Sequence, residues 1–314
     1  MEATLLNRPW VRGAMLGTLL VAAILMRLNH LQGPLLDQMH SKQVHVANYA
    51  RNIARAPWNP LRFTMDFLDE RGSAMMLTEE FPLYNGLLGA CYRLFGEYEW
   101  LGRVLSLLGS LVGILAVYDL VRREYYEPTG IVAAFLFAMT PLLLFYGRGV
   151  LPDPWMTACM VLCAAFYRRH LDEGYKARWL AAAAVAGLLA ALFKFFGLVV
   201  LIPLADMAYR RCGWRAWFSR RFVTLAPAMT LPVALWIATV FIQIPNTSSR
   251  TSYFFWQVPE SLWSPRLYER LTLGLVVKDC GPLAGVLILW GMFGAALGRT
   301  RSRPLWGWSA LGLF

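Results

Sequence analysis

The chain of 314 residues is 58% hydrophobic and 14% aromatic, and only 16% of its residues are charged, against about 25% in soluble domains. Its apolar residues come as long uncharged runs between short basic clusters, which excludes a soluble globular chain and gives the fold class as all-α, a polytopic transmembrane helical bundle. The net charge of +11 comes from Lys and Arg beside those runs, so the positive-inside rule accounts for it and no nucleic-acid partner is expected.

The first run, Val11 to Met26, follows Arg8 and Arg12. The residues after it are Arg27, Leu28, Asn29 and His30 rather than a small-residue cleavage site, so residues 1–28 read as an uncleaved first span. Residues 29–100 form a long first outer loop with room for two or three interfacial helices. Within it, SKQVHVANYARNIAR sets Val44, Ala47, Ala50 and Ala54 at helical spacing with charges on the other face. Six more spans are expected at Leu101 to Val121, Gly130 to Tyr146, Trp155 to Tyr167, Trp179 to Phe193, Phe195 to Tyr209 and Phe222 to Ile242, making residues 101–242 a transmembrane bundle. A second outer loop, 243–281, precedes an eighth span at Pro282 to Leu297 and a partial ninth from Leu305. The run still open at Phe314, in segment 282–314, reads as the cut end of a longer bundle.

Orientation follows from charge. With the N-terminus in the cytoplasm, the short inner segments hold 16 of the 30 Lys and Arg residues, Arg8 and Arg12 at the N-terminus and clusters at 122–123, 168–178, 210–221 and 299–303. Trp179 to Tyr209 could be one long helix, but a hairpin is the preferred reading, because a single long crossing would put the five arginines of 210–221 outside. The first arm of that hairpin, about 15 residues, rises only about 22 Å of a hydrocarbon core about 30 Å thick. Lys194 at its apex therefore lies below the outer surface and calls for an anion.

The charged residues of the outer side suggest chemistry. Asp37, Glu79, Glu80 and Asp153 all fall there, as do Lys42, Arg148, Lys194 and Lys278 near outer helix ends. Carboxylates beside cations suit a reaction in which a carboxylate activates a hydroxyl while cations hold a departing phosphate. Blander roles compete: Asp37 and Asp153 each stand where a helix N-cap would, and Arg148 could anchor a helix end by snorkelling. His40 and His45, five residues apart, do not share a helix face, and the five cysteines contain no CxxC pair. Neither a metal site, a cofactor nor a disulfide framework is expected.

The order Asp37, HSKQVHVANYARNI, EEFPLYNGLLGACYRLFG, YGRGVLPD and LFKFFGLVVLIPLA resembles the polyprenyl-phosphate-dependent glycosyltransferases of the class C fold, the group that includes protein O-mannosyltransferases and the aminoarabinose transferase of lipid A. The resemblance covers roughly residues 10–210. It implies catalytic roles for Asp37 in the first outer loop, for Asp153 at the start of the fourth span and for Glu80 in the E-x-P-L-Y-like stretch with Pro82, Leu83 and Tyr84. It implies substrate-binding roles for His40, Lys42, Gln43, Tyr84, Arg148 and Lys194, the last as a phosphate ligand. Bacterial relatives often show His-x-x-Arg-Gln where this chain has His40, Ser41, Lys42 and Gln43, which keeps the charge but loses the bidentate fork.

The function so implied is transfer of one sugar from a polyprenyl-phosphate donor to an unidentified lipid, glycan or protein acceptor, by inverting displacement at the periplasmic face of a bacterial inner membrane. A polytopic transporter or lipid flippase is the rival from another class, although such proteins tend to set ionisable residues near the midplane in two related halves. A non-catalytic membrane subunit of a cell-envelope complex is the third reading.

Overall fold

A computed structural model describes residues 8–29, 31–35, 39–56, 64–68, 74–76 and 80–243. Asp37, Glu79 and Lys278, with the spans expected at Pro282 to Leu297 and from Leu305, lie outside the described residues.

The described chain is helical but for one short ribbon. Helix α1 (Pro9–Arg27) is followed by α2 (His40–Arg55), an antiparallel pair of strands β1 (Thr64–Leu68) and β2 (Ala74–Met76), and α3 (Leu83–Phe95). Then come α4 (Glu99–Glu124), α5 (Glu127–Met139), α6 (Pro141–Tyr146), α7 (Asp153–Asp172), α8 (Ala177–Phe193), α9 (Leu201–Cys212) and α10 (Arg220–Gln243). Short 3-10 helices at Phe195–Val200 and Trp214–Phe218 lead into α9 and α10. By length and composition α1, α4 and the Arg220–Thr239 part of α10 can cross a membrane, while α5 and α8 are apolar but shorter. The ribbon is a departure from the all-helical expectation, and it docks on α2, where Asp66 accepts hydrogen bonds from Asn48, Arg51 and Asn52.

Two expected elements differ in detail, and a third forms as expected. The run from Gly130 to Tyr146 is broken into α5 and α6, because Pro141 has no N–H to continue the ladder and pushes Thr140 out of the helical region, to ψ 126°. Helix α2 forms where its charge pattern placed it, but its buried stripe is Gln43, Val46, Tyr49, Ala50 and Ile53 rather than Val44, Ala47, Ala50 and Ala54. Turning the helix this way buries Tyr49 and Ile53, which remove more apolar area from water than alanines can. The hairpin after Trp179 does form. Helix α8 leaves the α7–α8 turn, and α9 returns to it, with the Tyr175 hydroxyl 3.3 Å from Cys212 Sγ.

The core that positions the start of α7 is the α4–α7 contact. Gly102, Ser106, Gly109, Ser110 and Gly113 form one buried, nearly side-chain-free face of α4. A Cβ at Gly109 would stand 3.0 Å from the Trp155 ring and from its backbone nitrogen, and one at Gly102 would stand 2.6 Å from Val150. Small residues here let the backbones approach closely, as in other membrane helix pairs.

Candidate functional site

Four segments far apart in sequence meet where α7 begins and α8 ends. Lys194 is the residue at which α8 stops: its backbone is extended (φ −156°, ψ 134°), its N–H still bonds to Ala190 O, and its carbonyl starts the 3-10 turn by accepting from Gly197. That turn folds tightly back on α8, since a Cβ at Gly197 would come within 2.4 Å of Ala190. The Lys194 side chain, 13% exposed, donates to Asp153 Oδ1 at 2.7 Å, with Glu80 Oε1 at 4.0 Å. Glu80 also faces Lys42 Nζ at 3.7 Å. Two lysines and two carboxylates from α2, the α3 approach, α7 and the α8 apex thus form one cluster.

The cluster separates two readings that were open for Asp153. Helix α7 has no side-chain capping bond at its N-terminus, with Pro152 in the cap position, and the Asp153 carboxylate turns to Lys194 instead. Its Oδ2 is buried without a hydrogen-bond partner among the described residues. Helix α2 begins at His40, with Met39 at the cap position. Met39 takes φ 58°, a left-handed conformation uncommon for a residue with a side chain.

The turn between α6 and α7 carries Arg148 and is held from two sides. Val150 N–H donates to Gln43 Oε1 at 2.9 Å, and Ser106 Oγ donates to Leu151 O at 3.1 Å. Gln43 is fully buried. It fixes the turn that delivers Arg148 and Asp153. Tyr84, 1% exposed, bonds Gly102 O at 2.8 Å and Ser106 Oγ at 2.7 Å, so it pins α3 to α4. Arg148 has no carboxylate partner among the described residues, in contrast to the lysines of the cluster. His40 is exposed at the first turn of α2.

The electrostatics follow from this packing. Burial pushes the Lys42 ammonium below its ordinary value; Glu80 pulls it back, and the charge of Lys194 pushes it down further. Lys42 and Lys194 thus each face a carboxylate, whereas Arg148 does not among the described residues.

Two buried arginines belong to the same end and were not singled out from the sequence. Arg103 donates to Leu31 O at 3.1 Å and Pro34 O at 3.0 Å, tying the stretch after α1 to α4. Arg27 donates to Ala138 O at 3.1 Å, close to the α5–α6 break. The available signal was the position of each at one end of an apolar run, where a buried guanidinium must find carbonyls or acids. Among the described residues no three His, Cys, Asp or Glu side chains converge as metal ligands would.

Residues 80–238 match the sequence profile of the dolichyl-phosphate-mannose-protein mannosyltransferases. The chain belongs to this family. The matched stretch of the mannosyltransferase family holds Glu80, Asp153 and Lys194 of the cluster, together with Arg148, and stops short of Lys42. Among solved structures the chain is similar to ArnT from Cupriavidus metallidurans bound to undecaprenyl phosphate, with TM-score 0.63, 18% identity and coverage of 90% of this chain and 51% of that one. It is similar also to the Archaeoglobus fulgidus oligosaccharyltransferase, as AglB with an inhibitory peptide and a dolichol phosphate (TM-score 0.50, 16% identity, 96% and 39% covered). The same holds for the oligosaccharyltransferase complex with zinc and sulfate (TM-score 0.54, 16% identity, 93% and 45% covered). No curated protein matches by sequence. At these identities the likeness is one of fold, that of the class C glycosyltransferases, and this chain spans about half the length of ArnT. The chain is an integral membrane protein of that fold family.

Proposed function

We propose that this family member transfers one sugar from a polyprenyl-phosphate donor to an acceptor hydroxyl or similar nucleophile at the outer face of the inner membrane. The observation that carries the reading is the cluster itself: Lys194 and Lys42 held among Glu80 and Asp153, with Arg148 on the turn beside them. Two solved structures of the same fold hold polyprenyl phosphates, undecaprenyl phosphate in ArnT and dolichol phosphate in AglB.

In the proposed step Asp37 takes the acceptor proton while the acceptor oxygen bonds to the anomeric carbon from the side opposite the phosphate. The carbon–oxygen bond to phosphate breaks, the electron pair leaves with polyprenyl phosphate, and configuration inverts. Lys194, Lys42 and Arg148 meet the growing phosphate charge. As Lys194 turns to the phosphate, Asp153 is freed to orient the acceptor.

Full-length protein incubated with labelled polyprenyl-phosphate sugars should release sugar from the lipid and yield an inverted glycoside. A lipid-linked sugar that stays intact, or that only changes leaflet, would remove the enzyme reading in favour of a flippase or a non-catalytic subunit.

A further inference from the structure

At the end of the bundle opposite Lys194, the chain makes a second charged feature that the proposed reaction does not use. Helix α9 ends at Cys212, the 3-10 helix Trp214–Phe218 follows, and α10 starts at Arg220. Within this connection Arg210, Arg211, Arg215, Arg220 and Arg221 are all exposed. Arg210 pairs with Asp206 at 2.9 Å, and the other four have no acidic partner among the described residues. Arg221 lies over the Tyr175 ring at 3.9 Å, which keeps its charge at the surface.

Three large aromatic residues stand among these arginines. Trp214 is 60% exposed, Trp217 44% and Phe218 73%, whereas Ala216 between them is buried. Aromatic area of that size is unexpected on a surface facing only water. The rings are also held in place. Trp217 Nε1 donates to Ala205 O at 2.9 Å and its ring lies 5.8 Å from Tyr209, while Trp214 meets Phe218 edge-on at 6.1 Å. Side chains three apart eclipse on a 3-10 helix, so Trp214 and Trp217 point to one side.

A short segment joining two helix ends, with fixed aromatics and a surplus of guanidinium groups, has the chemistry of an interfacial element. Tryptophan rings settle at headgroup depth, and arginine forks match the oxygens of a phosphodiester. We infer that the Trp214–Phe218 segment with Arg211, Arg215 and Arg220 is a binding site for the headgroup of an anionic phospholipid, at the membrane surface remote from the candidate catalytic cluster. The occupant is a bilayer lipid because Arg211, Arg215 and Arg220, which have no acidic partner among the described residues, complement an anionic headgroup and the adjoining rings need an acyl boundary to lie against. A glycerophosphate without chains would satisfy only the first of these.

The test uses the full-length protein in vesicles of mixed phosphatidylglycerol and phosphatidylcholine, with bound lipid read by native mass spectrometry after detergent extraction. The parent should retain phosphatidylglycerol selectively, and selectivity should weaken as salt rises. Combined Arg211→Gln, Arg215→Gln and Arg220→Gln should lower that retention by at least about tenfold, while the corresponding lysine variants keep part of it. Equal retention of the two lipids by the parent overturns the site, as does undiminished retention by a normally inserted glutamine variant. Full displacement of the lipid by inorganic phosphate would instead make this a free-anion site. If the glutamine variant fails to insert, the parent decides alone, since a selectivity indifferent to salt is incompatible with an arginine–phosphodiester contact.

Discussion

Lys194 stands at the apex of a short apolar hairpin, where an ammonium group needs an anion, and the anion it finds is the Asp153 carboxylate at 2.7 Å. In the proposed reaction Lys194→Ala should raise the donor concentration needed for half-maximal transfer by at least about tenfold, the scale of one lost charge-assisted hydrogen bond. Lys194→Arg should keep part of the affinity. Unchanged donor saturation in the alanine variant, at normal membrane level, would leave Lys194 as an ion-pair partner of Asp153 and nothing more. Lys42 has a pH signature of its own. Its folded pKa is lowered by burial, so it sheds its proton below the ordinary lysine value of about 10.4, and the cation is present only on the acid side of that shifted value. Donor binding should therefore fall on an alkaline limb that begins before pH 10.4 or so, and Lys42→Arg should move the limb outward; coincident limbs in parent and variant would take Lys42 away from the donor. For Asp37 the sharp substitution is asparagine, which matches its size. Asp37→Asn should accumulate normally and bind donor, yet transfer sugar about 10² to 10⁴ more slowly. A rate within a few fold of the parent would move the base to Glu80 or Asp153.

Elements were legible where they depend on local chemistry and obscure where they depend on distant acceptors. The α8–α9 hairpin could be read from the charges on either side of it, whereas the break at Pro141 was passed over and residues 130–146 were expected as one span. The buried face of α2 could not be read, because it is chosen by α3, where Gly89 lies so close that a Cβ would meet Ala50 O at 2.9 Å. Gln43 looked like a substrate ligand in the His40 to Gln43 stretch, but its amide oxygen is bonded to the Val150 N–H, a backbone group more than 100 residues away that no spacing in the sequence announces. The β1–β2 ribbon was missed for a similar reason, since its Asp66 is held by α2 side chains. The α4 face of Gly102, Ser106, Gly109, Ser110 and Gly113 puts a structural requirement on the site. Gly109→Val should force Trp155 away from α4 and lower stability by about 1–3 kcal/mol, the usual cost of overpacking. Because Trp155 is two residues from Asp153 and stacks on Phe193 beside Lys194 at 6.0 Å, donor use should fall with it. A thermal midpoint equal to that of the parent in detergent would show that the α4–α7 contact yields more freely than its packing implies.

At the scale of the molecule, the fold sorts its charges to two ends. Asp153, Lys194, Glu80 and Lys42 gather at one. At the other, Asp119 holds Arg122, Arg123 and Arg169, Glu127 meets Arg12, and Arg211, Arg215, Arg220 and Arg221 follow, with no acidic partner among the described residues. Every short segment that the charge count assigned to the inner side lies at this second end where it is described, so the sequence and the packing agree on the partition. The partition alone does not say which end faces the cytoplasm; that step rests on the positive-inside rule. In a background with the native cysteines replaced, a thiol at Ser41, exposed on α2 beside the cluster, should react in intact cells with a membrane-impermeant reagent. One at Thr129, near the Glu127 end of α5, should react only after permeabilisation. The reverse pattern would turn the whole bundle over and place the cluster in the cytoplasm. A donor with its sugar on the outer leaflet could not then reach Lys194, and the proposed transfer would have to be inward-facing or abandoned.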